Sequence, residues 1–468
     1  MIDLLRGILG DKAVLMSATD LEPYLSDNAC RTEGSLICVA RPSTTAEVSR
    51  VIVACAQNEV AVVPRGGGTG LAGGSVPGRN EKAVVVALDR MNAIRSVDLL
   101  DEAMIVEAGV TLEQARDEAG RHNRTIGLDH GGKGSSQIGG NLATNAGGNN
   151  VIRYGMARDQ VLGIEAVLAD GSIIGPPYVL RKSNAGYDLR HLLIGSEGTL
   201  GIITAAALKL RPNVVSRTTA LLALGSAKDA LALLLLARDL LGEQIVACEL
   251  MSQSAVDFHF AHAGQQNTLL KTSAWTVLLE AESTLRSVDL DSVFHELLES
   301  ALEKGIVQDG IVAASEAQRL AMWKVREGIA VAMHASRLPI VRTDTAVPIR
   351  AIADFVALTV SRTQAALPGS VAVHFGHLGD GNIHFNVLPP PTMDHGAFIA
   401  RKAEFYGLIE QIALSLGGSV SAEHGIGQSK REALLRMKSP AEINLMRSIK
   451  MAFDPQQILN SSKIIYRQ

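Results

Sequence analysis

Cysteine is scarce in this chain, and its placement excludes more than its number does. The 468 residues include only four, Cys30, Cys38, Cys55 and Cys248. No two of them form a CxxC pair, so neither a zinc ribbon nor an iron–sulfur motif is present. They read as buried thiols of a reducing compartment. An excess of either charge is also missing. The net charge is −4, which gives no strong field to draw nucleic acid or an anionic membrane. The N-terminus has no basic stretch followed by an apolar run, so no secretory signal is expected. The most apolar helical stretch, 230–241, is broken by Arg238 and Asp239 and is too short to cross a bilayer. These absences predict a cytoplasmic protein, at most peripheral to the inner membrane.

What is present is ordinary globular composition, 20% charged and 47% apolar, in a chain long enough for about two to four domains. Glycine is unevenly spread, with dense clusters at 66–78 and 131–155. Short β-branched runs accompany them at 60–63, 84–88, 104–107, 163–168 and 201–208. Helical patterns fall at 45–57 and 111–121. This predicts an α+β domain over 1–213 whose function sits in glycine-rich loops. Arg211-Pro212-Asn213 closes it. Helical patterns at 227–241, 287–304 and 314–335 then alternate with strand patterns at 275–281, 369–376 and 381–388, followed by a helix at 400–416. This predicts a second domain over 214–420, an antiparallel sheet with helices on one face. A last segment, 421–468, is expected to return to the first domain's site.

The first glycine cluster reads Pro64-Arg65-Gly66-Gly67-Gly68-Thr69-Gly70-Leu71-Ala72-Gly73-Gly74-Ser75 after the run at 60–63. Without Cβ atoms, backbone N–H groups converge on a diphosphate. Gly68, Gly70 and Gly73 satisfy GxGxxG, but a dinucleotide motif opens a helix. Here Gly74-Ser75-Val76-Pro77 breaks one. Residues 127–134 approach a P-loop, yet Gly134 stands where Ser or Thr binds magnesium. The second cluster runs Gly134-Ser135-Ser136-Gln137-Ile138-Gly139-Gly140-Asn141-Leu142-Ala143-Thr144-Asn145-Ala146-Gly147-Gly148. Its small and amide residues suit a flat ring with polar edges. A third piece, Gly195-Ser196-Glu197-Gly198-Thr199-Leu200-Gly201-Ile202-Ile203-Thr204, leads into a strand.

Farther on, His374-Phe375-Gly376-His377-Leu378-Gly379-Asp380-Gly381-Asn382-Ile383-His384-Phe385-Asn386 carries a hairpin signal at Asp380-Gly381. With a two-residue loop, His377 opposes His384 on one face, about 5 Å apart at Cβ, a spacing suited to two imidazoles on one metal. Asn386 shares that face and His374 takes the other. In Ser421-Ala422-Glu423-His424-Gly425-Ile426-Gly427, Glu423 offers a carboxylate to complete a two-His-one-carboxylate set. Histidines this dense also occur without a metal.

The three loops, in this order and spacing, resemble the FAD-binding domain of the vanillyl-alcohol oxidase/p-cresol methylhydroxylase superfamily. The resemblance spans about 36–463 and is greatest to FAD-linked D-2-hydroxy-acid dehydrogenases: those for D-2-hydroxyglutarate, those for D-lactate, and the D subunit of glycolate oxidase. It implies non-covalent FAD. In the first loop the implied contacts are Pro64, Arg65, Gly66, Gly67, Gly68, Thr69, Gly70, Leu71 and Ser75, around the pyrophosphate. Around the isoalloxazine and ribityl chain they are Ser136, Gly139, Gly140, Asn141, Ala143, Thr144, Gly147 and Gly148, then Glu197, Gly198, Gly201 and Ile203. Asn460 joins them. The resemblance also implies a divalent metal on His377, His384 and Glu423, zinc with manganese or iron as alternatives, and His424 as general base. Two segments depart from the family. His130 follows Asp129 where proline is usual, and Asn460-Ser461-Ser462-Lys463 stands for Asn-Pro-Gly-Lys.

For the substrate, Arg326 stands where the family binds a carboxylate, and Arg342 replaces a lysine. Ala330 replaces a threonine, and Asn386 joins the substrate-binding set. Two cations favour a dicarboxylate, D-2-hydroxyglutarate or D-malate, over the alternatives D-lactate and glycolate. The expected acceptor is an electron-transfer flavoprotein or a quinone, and the expected assembly a homodimer. A subunit that binds FAD only as a scaffold is the rival from another class, and retention of Glu423-His424 argues against it.

Overall fold

The strand Lys82–Ala87, KAVVVA, is buried everywhere but at its first residue. The computed structural model, which describes residues 1–32, 34–267 and 273–466, explains this lack of alternation. The strand lies between two parallel partners, Ser35–Ala40 and Ala61–Arg65, and parallel sheets are covered on both faces. Helix Thr45–Gln57 covers one of them. The hydroxyl of Thr44 caps it by accepting the Glu47 N–H. Its i, i+3, i+4, i+7 stripe, Val48, Val51, Ile52 and Cys55, enters the core. A second sheet is antiparallel, in the order Ile94–Asp98, Ala103–Glu107, Ile202–Lys209, Val161–Val167, Ile173–Ile174. Helix Leu112–Arg121 packs there behind a capping box made by Thr111 and Gln114.

The chain divides into two compact units, one of residues 1–148, 154–213 and 423–468 and the other of 149–153 and 214–422. Within the first, the C-terminal segment is held by backbone pairing. Val62 N donates to Ile458 O and Asn460 N to Val62 O, both at 2.8 Å. The buried ammonium of Lys450 donates to Asp454 Oδ2 at 2.6 Å and to the carbonyls of Thr199 and Leu459 at 2.7 Å.

The second unit is built on one eight-stranded antiparallel sheet. Its central strands are Ser216–Leu224, Trp275–Ser283, Ile245–Ser252, Val371–His377 and Asn382–Leu388, in that spatial order. Leu222, Leu279, Leu250 and Phe385 lie on one face, in a core closed by helices Ala227–Leu241, Leu290–Glu303, Ile352–Ala366 and His395–Ser415. The other face bears Glu280 and Glu249, which bond Trp323 and Arg326 of helix Glu316–Ala335. Helix Gln253–Ala263 packs beside that one, His259 against Gly328. Helices therefore cover both faces, where strand–helix alternation alone pointed to one. The second face is joined through buried polar pairs that a hydrophobic pattern does not display.

His374 lies on the apolar face, stacked on Phe385 with ring centroids 5.3 Å apart and tilted against Trp275 at 4.9 Å. Burial pushes its imidazole down to about 4. The unfolded chain therefore takes up this proton near pH 6.5 and the folded chain near pH 4. The stability that neutral His374 contributes is full above pH 6.5 and is lost as pH falls toward 4, about 3 kcal/mol in all. In His374→Phe the denaturant midpoint should fall less steeply over that window than in the wild type. Equal slopes would show that His374 does not carry the acid sensitivity.

Candidate active site

In the first unit, strand Ala61–Arg65 leads directly into the first glycine loop. Among the described residues no acceptor meets the backbone N–H groups of Gly66 through Leu71. Native chains rarely leave so many donors unpaired, and successive free amides form an anion-binding nest. The loop leans on the second cluster: a Cβ at Gly67 would stand 1.9 Å from Ser135 O. Gly198, with φ +71°, brings the third piece against Pro64, where a Cβ would meet the ring at 2.4 Å. The three pieces line one cleft, with His424 on its wall. Ser75 Oγ and Gln137 Oε1 are buried there with no protein partner.

The loop bearing His424 is clamped to the third piece. Glu197 accepts the N–H of Ile426 at 2.7 Å and of Gly427 at 2.8 Å. Burial pushes the Glu197 carboxyl up, and these two amides oppose that rise. Asn460 is fully buried and donates to the carbonyls of Gly74 at 2.9 Å and Glu197 at 2.7 Å. His130 braces the second loop. Its Nδ1 accepts the Gly132 N–H at 3.1 Å, which leaves the proton on Nε2, 3.3 Å from Asn141 Oδ1. Burial lowers its pKa, favouring the same neutral form.

In the second unit, His377 pairs with Asn382 and His384 with Phe375. The hairpin loop is thus four residues, 378–381, and the directly opposed histidine pair expected from a two-residue turn is replaced by a diagonal one. Both Leu378 and Gly379 donate to Cys248 O, at 2.8 and 3.3 Å, and Asp380 Oδ1 accepts the Asn382 N–H at 3.1 Å. These bonds outweigh the tighter turn. Pairing parity keeps both histidines on one face, with ring centroids 5.8 Å apart, and Asn386 joins them opposite Val373. Its Nδ2 donates to Val373 O at 3.0 Å and His384 O at 3.2 Å.

Behind the histidines lies Glu249, 1% exposed. Its Oε1 is 2.8 Å from His377 Nδ1, and its Oε2 accepts Arg326 Nε at 2.7 Å. Burial alone would raise this carboxyl, but His377 and Arg326 together hold it below the ordinary value. Removing one member of such a buried pair costs about 3–5 kcal/mol. Arg326 also lies over the Phe375 ring, 4.8 Å from its centroid. Arg342 opposes Asn386, is exposed, and donates to the carbonyl of Met333. Asp344, buried, has Oδ1 4.0 Å from His384 Nδ1.

Residues 37–175 match the family model described as an FAD binding domain, and 215–464 match that for the C-terminal domain of FAD linked oxidases. The chain belongs to the FAD-linked oxidase family. It is 36% identical to the mitochondrial D-2-hydroxyglutarate dehydrogenase of Arabidopsis thaliana, over 99% of this chain and 81% of that one. It is 32% identical to a Schizosaccharomyces pombe protein provisionally named a mitochondrial D-lactate dehydrogenase, over 99% and 90%. The fold is that of p-cresol methylhydroxylase, with TM-score 0.74 and 15% identity over 99% of this chain and 96% of that one.

The protein is therefore an FAD-dependent oxidoreductase, and the cleft accords with its family: free amides for a diphosphate, and orphaned Ser75 and Gln137 for polar edges. Most residues predicted for FAD line it. Ser136, Gly147, Gly148 and Asn460 do not. Ser136 accepts from Asn141 Nδ2, Gly148 packs on Asp129 O, and Asn460 braces two loops, so they shape the site from behind. Gln137, Leu88 and Ile202 line the cleft without having been singled out. Gln137 was legible as an amide lying between the predicted contacts Ser136 and Gly139. The remaining predicted residues divide between units, Glu423 and His424 in the first and His377, His384, Asn386, Arg326 and Arg342 in the second. Among the described residues no helix is long and apolar enough to cross a membrane.

Proposed function

We propose that this protein oxidises a D-2-hydroxy acid to the 2-oxo acid, with D-2-hydroxyglutarate or D-malate preferred. The observation that carries the reading is His424 lining the cleft formed by the three glycine loops. When bound, FAD supplies the two-electron acceptor for hydride at its N5. His424 takes the proton from the 2-hydroxyl oxygen as general base. His377, His384 and Glu423 hold a divalent ion, and their mixed nitrogen and oxygen donors suit zinc, with manganese or iron as the other choices. The ion's contribution is Lewis acidity at the hydroxyl.

Arg326 binds a substrate carboxylate through its terminal amino groups, its Nε being held by Glu249. Asn386 orients the same substrate. Arg342, on the same sheet face, supplies a second cation, and this supports a dicarboxylate. FAD is held without a covalent bond, consistent with a His130 ring occupied by Gly132 and Asn141. The electrons pass to an electron-transfer flavoprotein or a quinone, and the protein works as a cytoplasmic homodimer, peripheral to the membrane when the acceptor is a quinone.

D-lactate is the second reading, favoured by the Schizosaccharomyces pombe relative and by Ala330, which lacks a hydroxyl. The two separate in kcat/KM with an artificial acceptor. D-2-hydroxyglutarate or D-malate should exceed D-lactate in the wild type, and Arg342→Ala should narrow the gap. A wild type that prefers D-lactate, or an Arg342→Ala variant with unchanged ranking and rates, would remove the two-cation pocket.

A further inference from the structure

We infer that Glu249 is a positioning residue that joins metal binding to substrate-carboxylate binding through one shared carboxylate. This rests on the proposed metal and substrate roles of His377 and Arg326. The geometry is specific. Glu249 belongs to strand Ile245–Ser252 and pairs directly with His377, so both side chains leave the same face of the sheet. Oε1 meets His377 Nδ1 at 2.8 Å and Oε2 meets Arg326 Nε at 2.7 Å. A carboxylate that is ionised only accepts. In the neutral ring the proton then sits on Nδ1, and the lone pair that ligation requires is on Nε2. A metal-bound histidine is commonly oriented by a carboxylate on its other nitrogen in this way.

The second oxygen does the same for Arg326. Holding Nε fixes the guanidinium plane and keeps the two terminal amino groups, the fork that suits a carboxylate, out of the bond to Glu249. His377 and Arg326 are therefore registered to each other through a single rigid group on a central strand. The nearby Glu280 provides an internal comparison. It too is buried and bonded to helix Glu316–Ala335, accepting Trp323 Nε1 at 2.8 Å and Arg319 at 3.2 Å. Its bonds to that helix use Trp323 and Arg319, not Arg326, and its other partners are Thr219 and Arg217.

The test uses the FAD-loaded protein stripped of metal by a chelator and titrated calorimetrically with Zn²⁺. Glu249→Gln should weaken zinc binding about 10–100-fold and raise KM for the 2-hydroxy acid, with the flavin spectrum unchanged. Glu280→Gln should leave zinc affinity at the wild-type value. In a His377→Ala background, Glu249→Gln should weaken zinc no further, because its effect passes through that ring. A purely structural role would instead be additive there and would lower zinc affinity in Glu280→Gln as well; either result overturns the inference. Equal zinc affinity in wild type and Glu249→Gln overturns the assignment to Glu249 alone. A wild type that binds no zinc overturns the metal reading and this inference with it.

Discussion

Replacing His424 by alanine is expected to slow flavin reduction by about 10²–10⁴-fold, the usual worth of a positioned base. Substrate affinity should change much less, because Arg326 and Asn386 lie on other elements. FAD content should not change either. The clamp that holds the His424 loop uses the backbone N–H groups of Ile426 and Gly427 on Glu197, not the imidazole. Rapid mixing of substrate with oxidised enzyme under anaerobic conditions separates these effects. If the variant reduces its flavin at the wild-type rate, His424 only lines the cleft.

Metal removal should have a comparably large effect by a separate route. Chelation is expected to abolish turnover while leaving the flavin absorption spectrum nearly intact. His377 and His384 lie on strands Val371–His377 and Asn382–Leu388, and neither is among the residues lining the flavin cleft. His377→Ala and His384→Ala should each reproduce the loss, and added zinc should restore the chelated wild type but neither variant. Full activity in metal-free wild type would remove the metal from the mechanism.

The glycine loops were legible because conformational permissiveness leaves a compositional trace: a run such as Gly66-Gly67-Gly68 has few structural explanations. Strong helices were legible for a similar reason. Helix Ala227–Leu241 begins and ends where its apolar pattern does, behind the Ser226 cap. The histidine register was not, because Asp380-Gly381 favours a two-residue turn only when nothing else binds the loop, and here Cys248 O takes two of its amides. Glu249 leaves little trace in the sequence because Ile245–Ser252, IVACELMS, is buried at every position and shows no strand alternation. One acid in an otherwise apolar run was the available signal. Its partners, Arg326 and His377, are 77 and 128 residues away in sequence, a distance over which local pattern carries no information.

The central claim is that a D-2-hydroxy acid delivers its electrons to FAD bound in the glycine-loop cleft, and anaerobic reduction of the bound flavin tests it directly. Purified protein should be yellow, with one FAD per chain released by acid. Under anaerobic conditions D-2-hydroxyglutarate or D-malate should bleach its visible band without any added acceptor, and the L enantiomer should not. A flavin that stays oxidised with D-2-hydroxyglutarate, D-malate and D-lactate alike, in metal-replete protein, would contradict the account.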